Sequence, residues 1–566
     1  MKSFFDRTLG VTFLSVVLYL LAIPAVFCWE VNLWPLVFFV PAIWARLVRS
    51  ETFMQSRFRY TKVYLCSLIF WLTTTFWVCF PHPLTSLGWI ALSTYLACYL
   101  PIFIAVSRRL TRRHSLPIWL VCPIVWVCVE WLRNHVFGGM SLAALEHSFY
   151  KVPLLIQTAD LGGQYLVGAE IVLIGCWLEQ TQTMIANKKR VLTVGLCAKL
   201  LVVLTILVYG EMKKSSPQGE PLRIAITQGN YPVMLDPPEG WWEKTYKQYC
   251  DLTDAVVKQA AGEGKPLDLI IWPETVFPYP LVEFGEGFVP DQWKDSDLTP
   301  EEIQEGLAKE IAESQKVPLA MASQWNTPLL LGATMYSLKP KGEETQQDRF
   351  NSAILVDPKT QTVGPRYDKV HLVMFGEYVP FTEYLPDDFP LKTLCQTASR
   401  GTKPVAIPIP GPEDREPVYL SANICFEGLI PHLIRRQVVE LRQQGKEPSL
   451  LVNLSNVGWF YFTSETDLQF AAQIFRAVEN RKPYITAANG GFSAYVDSYG
   501  NITQQGKRRE ATSFIAEVTI FLNGSVYTAI GDLFACLCLL FTAGLLLQSG
   551  AVVQYLSFKQ RAGDEA

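Results

Sequence analysis

The chain has 566 residues, half of them hydrophobic and only 18% charged, with a formal net charge of −3. That is too long for one ordinary domain of roughly 100–200 residues, and it falls short of the ~25% charge of an average soluble protein. So small a net charge argues against nucleic acid as a partner, and the main signal becomes where the apolar residues lie.

In chain order, windows near the roughly 20 apolar residues that cross a bilayer fall at 8–28, 31–47, 62–80, 86–106, 115–132, 163–178, 191–210 and 528–549. The second and sixth are short. Residues 212–526 contain no such window and are rich in Pro, Gly, Asp and Glu. The pattern predicts seven transmembrane helices in 1–211, a hydrophilic domain in 212–526, and an eighth helix with a short tail in 527–566. Lys and Arg gather at 46–62, 108–113, 188–190 and 559–561, whereas the alternate loops near 29–30 and 81–86 are bare. By the positive-inside rule both termini are cytoplasmic, and 212–526 lies on the outer face, the periplasm of a bacterium. The stretch "AIPAVFCWE" has no small residue ahead of Cys28, so the first window is read as a span rather than a cleaved signal.

Ten of the 13 cysteines fall in or beside the apolar windows and read as packing. The outer domain holds Cys250, Cys395 and Cys425. An odd number in an oxidising compartment leaves at least one thiol free, and whether Cys250 and Cys395 pair is open.

Within the hydrophilic domain, strand-like runs occupy 221–230, 267–274, 328–337, 350–358, 418–427, 449–456 and 483–500. Amphipathic helical patterns occupy 299–315 and 464–482, the second opened by Ser464 and Asp467 as a capping box. Strands alternating with helices predict an α/β sheet packed on helices.

Three residues capable of chemistry fall at or just after strand ends, where open α/β sheets place their sites: Glu274 in "IIWPETVFP", Lys369 in "RYDKVHLVMFGEYVPF" and Cys425 in "NICFEG". A thiol that attacks a carbonyl needs a base, and the oxyanion formed needs a donor or cation. A carboxylate, an ammonium and a thiol supply those functions. Each has an ordinary reading as well: a turn carboxylate, a solvated lysine, a packed cysteine. Glu377 and Glu427 could equally be surface charges. No G-x-S-x-G elbow, P-loop or metal-spaced Cys/His set competes with them.

Taken in order, "WPET", "YDKVHLV-FGEYVP", "NICFE", "NLSN--WF" and "RAVENRKP" resemble the signature segments of the nitrilase superfamily. Within it they resemble the membrane-embedded apolipoprotein N-acyltransferases, whose layout of seven helices, domain and closing helix also fits this chain. The resemblance extends to "VEWLRNHVFGG" and "PLLIQTADLGGQYLVGAEIV". It implies a four-layer α-β-β-α sandwich on an eight-helix bundle, and a catalytic triad of Glu274 as base, Lys369 as stabiliser of the tetrahedral intermediate and Cys425 as nucleophile. It further implies that the amide of Phe426 joins the oxyanion hole and that Glu377 and Glu427 are supporting acids. Trp241 and Trp242, in a substrate-contacting loop, and Tyr378 would meet substrate. The implied reaction is ping-pong. Cys425 takes an acyl chain from a phospholipid, and the α-amine of diacylglyceryl-cysteine in an apolipoprotein then receives it. No cofactor, metal or nucleic acid is implied, and a monomer in the bacterial inner membrane is expected.

The sequence departs from the family's pattern at Met374, at Phe426 (usually Tyr) and at "SNVGWF", where Val457 and Gly458 replace Asp and Ala. Two other readings use the same features. A membrane-tethered amidase would give the acyl group to water. A transporter with an outer binding domain would not need Cys425.

Overall fold

The computed structural model describes residues 7–187, 193–213, 221–234, 236–285, 299–341, 344–380, 384, 386, 398–410, 418–460, 463–520 and 524–564. The chain divides into two compact units: Met1–Ser215 with Thr463–Glu479 and Ser525–Ala566, and Ser216–Phe462 with Asn480–Gly524.

The first unit is helical. Helices overlap the apolar windows of the sequence, among them Arg7–Ala22, Arg59–Thr74, Gln164–Ala186 and Leu533–Asp564. Thr85–Arg113, Ile118–Gly138 and Gly195–Lys213 are long and apolar enough to cross a membrane, while Thr8–Ala22 and Leu533–Gln548 are apolar but shorter. A buried pair of opposite charge sits among these helices, where pairing offsets the cost of desolvation. Arg133 binds Glu130 one turn away at 2.5 Å and donates to the carbonyl of Leu142 at 2.7 Å. Most of the amphipathic helix Glu465–Asn480 also belongs to this unit, where Arg476 donates to Gln164 at 2.7 Å and Glu479 accepts the Gln164 amide at 2.9 Å.

The second unit contains two sheets. In chain order its strands are β1 (Leu222–Gln228), β2 (Leu269–Ile271), β3 (Leu281–Phe284), β4 (Leu329–Lys341), β5 (Glu344–Asp357), β6 (Thr362–Asp368), β7 (Ala406–Ile409), β8 (Val418–Ile424), β9 (Leu450–Asn456), β10 (Tyr484–Asn489), β11 (Ala494–Val496), β12 (Ile502–Gln505) and β13 (Thr512–Val518). Its principal helices are α1 (Trp241–Gly262), α2 (Pro300–Trp325) and α3 (Pro431–Gln443). One sheet runs β13-β1-β2-β4-β5-β6, with β3 also on β4; the other runs β12-β11-β10-β9-β8-β7. The central neighbours β1/β2, β2/β4, β8/β9 and β9/β10 are parallel.

Parallel central strands are covered on both faces, so they read as continuous apolar runs rather than alternation. Every residue of β1, β9 and β10 is buried. Ile224, Ile226 and Leu269 of one sheet share a core with Leu420, Val452 and Ile485 of the other. On the first sheet's opposite face, Ile270 and Leu331 pack with Tyr249 and Val256 of α1 and with Met321 and Trp325 of α2. Burying such a side chain contributes about 1.5–3 kcal/mol.

Several elements differ from the sequence reading: the run at 483–500 holds two strands, β10 and β11, and β3, β6, β7, β12, β13 and α3 have no counterpart in it. The helix expected to end at 315 continues to Trp325 through Pro318, its start capped by Thr299 and Glu302. A proline inside a helix costs about 3 kcal/mol, which the burial of Met321, Ala322 and Trp325 offsets. The aromatic segment expected as a loop is instead the first turn of α1. Its buried stripe, Thr245, Tyr249, Thr253, Val256 and Ala260, has helical spacing.

Candidate active site

The residues singled out in the hydrophilic domain are presented by strand ends. Glu274 lies three residues beyond β2, Lys369 directly follows β6, and Cys425 directly follows β8. The backbone turns sharply beside Glu274, beside Glu377 and at Cys425. Thr275 (φ 47°), Phe375 (φ 61°) and Cys425 (φ 51°) all occupy the left-handed region. Non-glycine residues hold that conformation at a cost of about 1–3 kcal/mol, and they do so where surrounding structure over-determines them. For Cys425 the turn ends the buried strand and leaves the side chain half-buried rather than enclosed in the core.

The Lys369 ammonium is buried and faces two carboxylates: Glu377 Oε1 at 2.6 Å and Glu274 Oε1 at 3.7 Å. Burial works against its charge, but the charges of Glu377, Glu274 and Cys425 outweigh it and hold the ammonium above the ordinary lysine range. It is therefore a fixed cation at neutral pH. Glu377 is oriented by the Val373 amide, which donates to its Oε2 at 2.8 Å.

Glu274 accepts from Asn351 Nδ2 at 2.7 Å on one oxygen and from the Asn456 amide at 2.8 Å on the other. Burial raises its carboxyl above the usual range. Lys369 opposes that rise, Glu377 reinforces it, and the two amides oppose it again. A carboxylate so placed is a better proton acceptor than an exposed glutamate.

Glu427 differs. Fully buried, it accepts from the amides of Val370, His371 and Ile424, each at 2.8 Å, and from Tyr367 Oη at 2.9 Å to both oxygens. These donors lie beside Lys369 and beside Cys425, so Glu427 pins the cation's segment to the thiol's segment. Burial pushes its carboxyl up to about 7 even against the donors.

The other proposed residues sit as follows. The Phe426 ring stacks on His371 with centroids 6.0 Å apart. Tyr378 bridges to Met374 through the backbone and carries Arg400 over its ring at 5.6 Å. Trp241 packs edge-on against Tyr231 at 5.4 Å, and Trp242 is exposed. Cys250 is half-buried and has no disulfide partner among the described residues; Cys395 lies outside them.

The supporting amides escaped the sequence reading. Asn453, Asn456 and Asn489 lie inside or end strands that are largely apolar, and Asn351 stands where the polar first half of β5 gives way to its apolar end. Asn453 Nδ2 donates to the carbonyl of Cys425 at 3.0 Å and to Asn423 Oδ1 at 2.7 Å, which holds the turn that carries the thiol. The available signal was that buried polar groups must be hydrogen-bonded, so asparagines within apolar strand runs mark a site.

The chain is similar to known proteins in both of its parts. Residues 223–523 match the carbon-nitrogen hydrolase family, and residues 15–177 match the apolipoprotein N-acyltransferase N-terminal domain. An apolipoprotein N-acyltransferase of Rhodopirellula baltica is 28% identical over 514 residues, covering 83% of this chain and 86% of the relative. One of Geobacter metallireducens is 29% identical over 500 residues, covering 88% and 85%. An amidase of known structure from Nesterenkonia sp. AN1 is 17% identical, the match covering 55% of this chain and 96% of the amidase, with a TM-score of 0.33.

Proposed function

The chain belongs to the carbon-nitrogen hydrolase family, and from that premise we propose that it is an N-acyltransferase of the bacterial inner membrane. Its acyl donor is a phospholipid and its acceptor the N-terminal α-amine of diacylglyceryl-cysteine in an apolipoprotein. The product is a triacylated lipoprotein.

In the first half-reaction Cys425 Sγ attacks the ester carbonyl carbon and Glu274 takes the thiol proton. The oxyanion is stabilised by Lys369 and by the amide of Phe426. Collapse breaks the ester C–O bond, and the departing lysophospholipid oxygen takes the proton from Glu274. In the second half the amine attacks the thioester carbonyl and passes a proton to Glu274. The C–S bond breaks, and the thiolate recovers that proton. Atoms balance without a cofactor. Glu377 and Glu427 hold Lys369 and the two turns in place, while Trp241, Trp242 and Tyr378 line the way in for substrate.

The surrounding architecture in this reading is a four-layer α-β-β-α sandwich at 212–526, held at the outer face by seven helices in 1–211 and an eighth in 527–566. Both termini are cytoplasmic and the protein works as a monomer. One observation carries the choice of acceptor: the segment 15–177, which matches the N-terminal domain of apolipoprotein N-acyltransferases, stands on the same chain as a nitrilase-type site. A domain that only hydrolysed soluble amides would have no use for it.

The test is mass spectrometry of the protein purified from phospholipid-rich membranes without acceptor. A hydroxylamine-sensitive acyl adduct on Cys425 is expected, discharged by a diacylated lipopeptide much faster than by water. An unmodified thiol in such a preparation overturns the proposal. An adduct that water discharges just as fast would favour the amidase.

A further inference from the structure

The asparagines that end β9 and β10 are paired across the sheet, Asn456 opposite Asn489. Asn456 is committed to Glu274 twice: its amide N–H donates to Oε2 at 2.8 Å and its side-chain Nδ2 to the Glu274 carbonyl at 3.3 Å. Its remaining side-chain atom, Oδ1, accepts from Asn489 Nδ2 at 2.8 Å. That bond fixes which way the Asn456 amide faces.

Asn489 is itself buried and its other bonds lead away from the base. Its Nδ2 also donates to the carbonyl of Tyr231 at 2.8 Å, and its Oδ1 accepts from the Tyr231 amide at 3.2 Å and from Tyr249 Oη at 3.3 Å. The Tyr231 ring meets Trp241 edge-on. One amide thus joins the segment before α1 to the carboxylate beyond β2.

The packing around it explains a departure noted in the sequence. At Gly458, where the family's pattern has alanine, a Cβ would lie 2.4 Å from the Tyr231 carbonyl oxygen and 3.0 Å from Asn489 Nδ2. The Val233 amide donates to the Gly458 carbonyl at 3.3 Å. At Gly229 a Cβ would lie 2.8 Å from Asn489 Oδ1. The 229–233 segment therefore closes directly onto Asn489, and only residues without a side chain permit that approach.

We propose that Asn489 is a positioning residue for Glu274: through Asn456 it holds the carboxylate in place, and it ties that placement to the Tyr231–Trp241 pair. The inference rests on Glu274 being the base. A buried amide with all four of its bonds made is rigid, so a displacement at the aromatic pair is transmitted rather than absorbed. Displacements of about 1 Å at a reacting group can cost 10²-fold in rate.

The experiment uses the full-length protein in phospholipid nanodiscs and reads the rate of Cys425 acylation from the mass of its adduct, as a function of pH and of phospholipid mole fraction. Melting temperature is recorded beside it. Asn489→Ala slows acylation by about 10–100-fold and moves the acidic limb of the pH profile upward, because the Asn456 amide favours the ionised carboxylate and its hold is loosened. Asn489→Asp keeps the size and the Oδ1 acceptor but cannot donate to Asn456, so it shifts the limb in the same direction. Gly458→Ala pushes on Tyr231 and raises the mole fraction needed for half-maximal rate more than it lowers the limiting rate. If Asn489→Ala melts lower yet acylates at the wild-type rate with an unmoved pH profile, the residue is merely structural and the proposal fails. If that variant does not fold, an unmoved profile in Asn489→Asp overturns it equally. Full-rate acylation by Glu274→Gln would instead remove the underlying reading of the base.

Discussion

Two buried carboxylates at strand ends, Glu274 beyond β2 and Glu427 just after β8, have the same chemistry and comparable burial but different surroundings. Glu427 receives three backbone amides and a tyrosine hydroxyl that reaches both oxygens. Glu274 receives one backbone amide and one side-chain amide, and has a lysine at 3.7 Å. A carboxylate that accepts three main-chain donors and a hydroxyl is a structural pin, because those bonds tie two backbone segments to one side chain. One with fewer donors, facing a cation it does not closely grip, keeps the capacity to take a proton. Burial alone does not distinguish a base from a brace; the count and kind of donors does.

The largest effect that would break this distinction is expected at Glu274. Glu274→Gln should lower Cys425 acylation by about 10²–10⁴-fold, the range for a lost general base, with little change in melting temperature. Single-turnover mass spectrometry and a thermal melt together check it. Wild-type acylation, or a collapse of the fold, would erase the contrast with Glu427. Glu427→Gln should do the reverse in kind. Its amide nitrogen would face main-chain N–H groups, and each donor left unpaired costs about 1–3 kcal/mol. Protein yield and urea midpoint should fall first, with acylation lost as a consequence.

A third effect is pH dependence. Burial holds the Glu427 carboxyl at about 7 in the folded chain, above the ordinary ~4.3 of the unfolded one. Between those values the folded state binds the extra proton, so its stability is greatest below the unfolded value and declines as pH rises towards about 7. The slope contributed by this group is at most about 1.4 kcal/mol per pH unit. Denaturation midpoints across that window should fall with pH in the wild type and flatten in Glu427→Gln; parallel curves would contradict the assignment. The smallest change is Tyr367→Phe. It removes the hydroxyl that donates to Glu427 and that accepts from Gln437 Nε2 at 2.9 Å, for about 1–2 kcal/mol. It should lower melting temperature while leaving the pH limb set by Glu274 unmoved.

Much of this was legible in the chain. Apolar windows marked helical segments, because a long run of uncharged residues leaves a compositional trace, whereas the charged stretches at 46–49, 59–62 and 108–113 lie within helices. Strand-like apolar runs located β1, β8 and β9 within a few residues, while the run at 483–500 covers both β10 and β11. The chemistry-bearing residues stood out because Glu274, Lys369 and Cys425 interrupt or end such runs. Less legible were elements whose residues contradict local rules. The carry-through of α2 past Pro318 depends on Met321 and Trp325 finding a core. The helical state of Trp241 depends on a stripe whose apolar character is carried by Thr and Tyr.

By itself, then, the sequence determined where the apolar helices and central strands lie and which polar groups stand at strand ends, since hydropathy is a local property. Only the tertiary structure decided which of those groups meet. Glu274 lies far from Lys369 and Glu377 along the chain, and the three charges interact strongly only once folding removes the water between them. The asparagines at 453, 456 and 489 carry no local signature beyond being polar in largely apolar strands, and Asn351, in the partly polar β5, carries none. Their partners are set by which strand ends meet, and that is decided by the packing of two sheets rather than by any single segment.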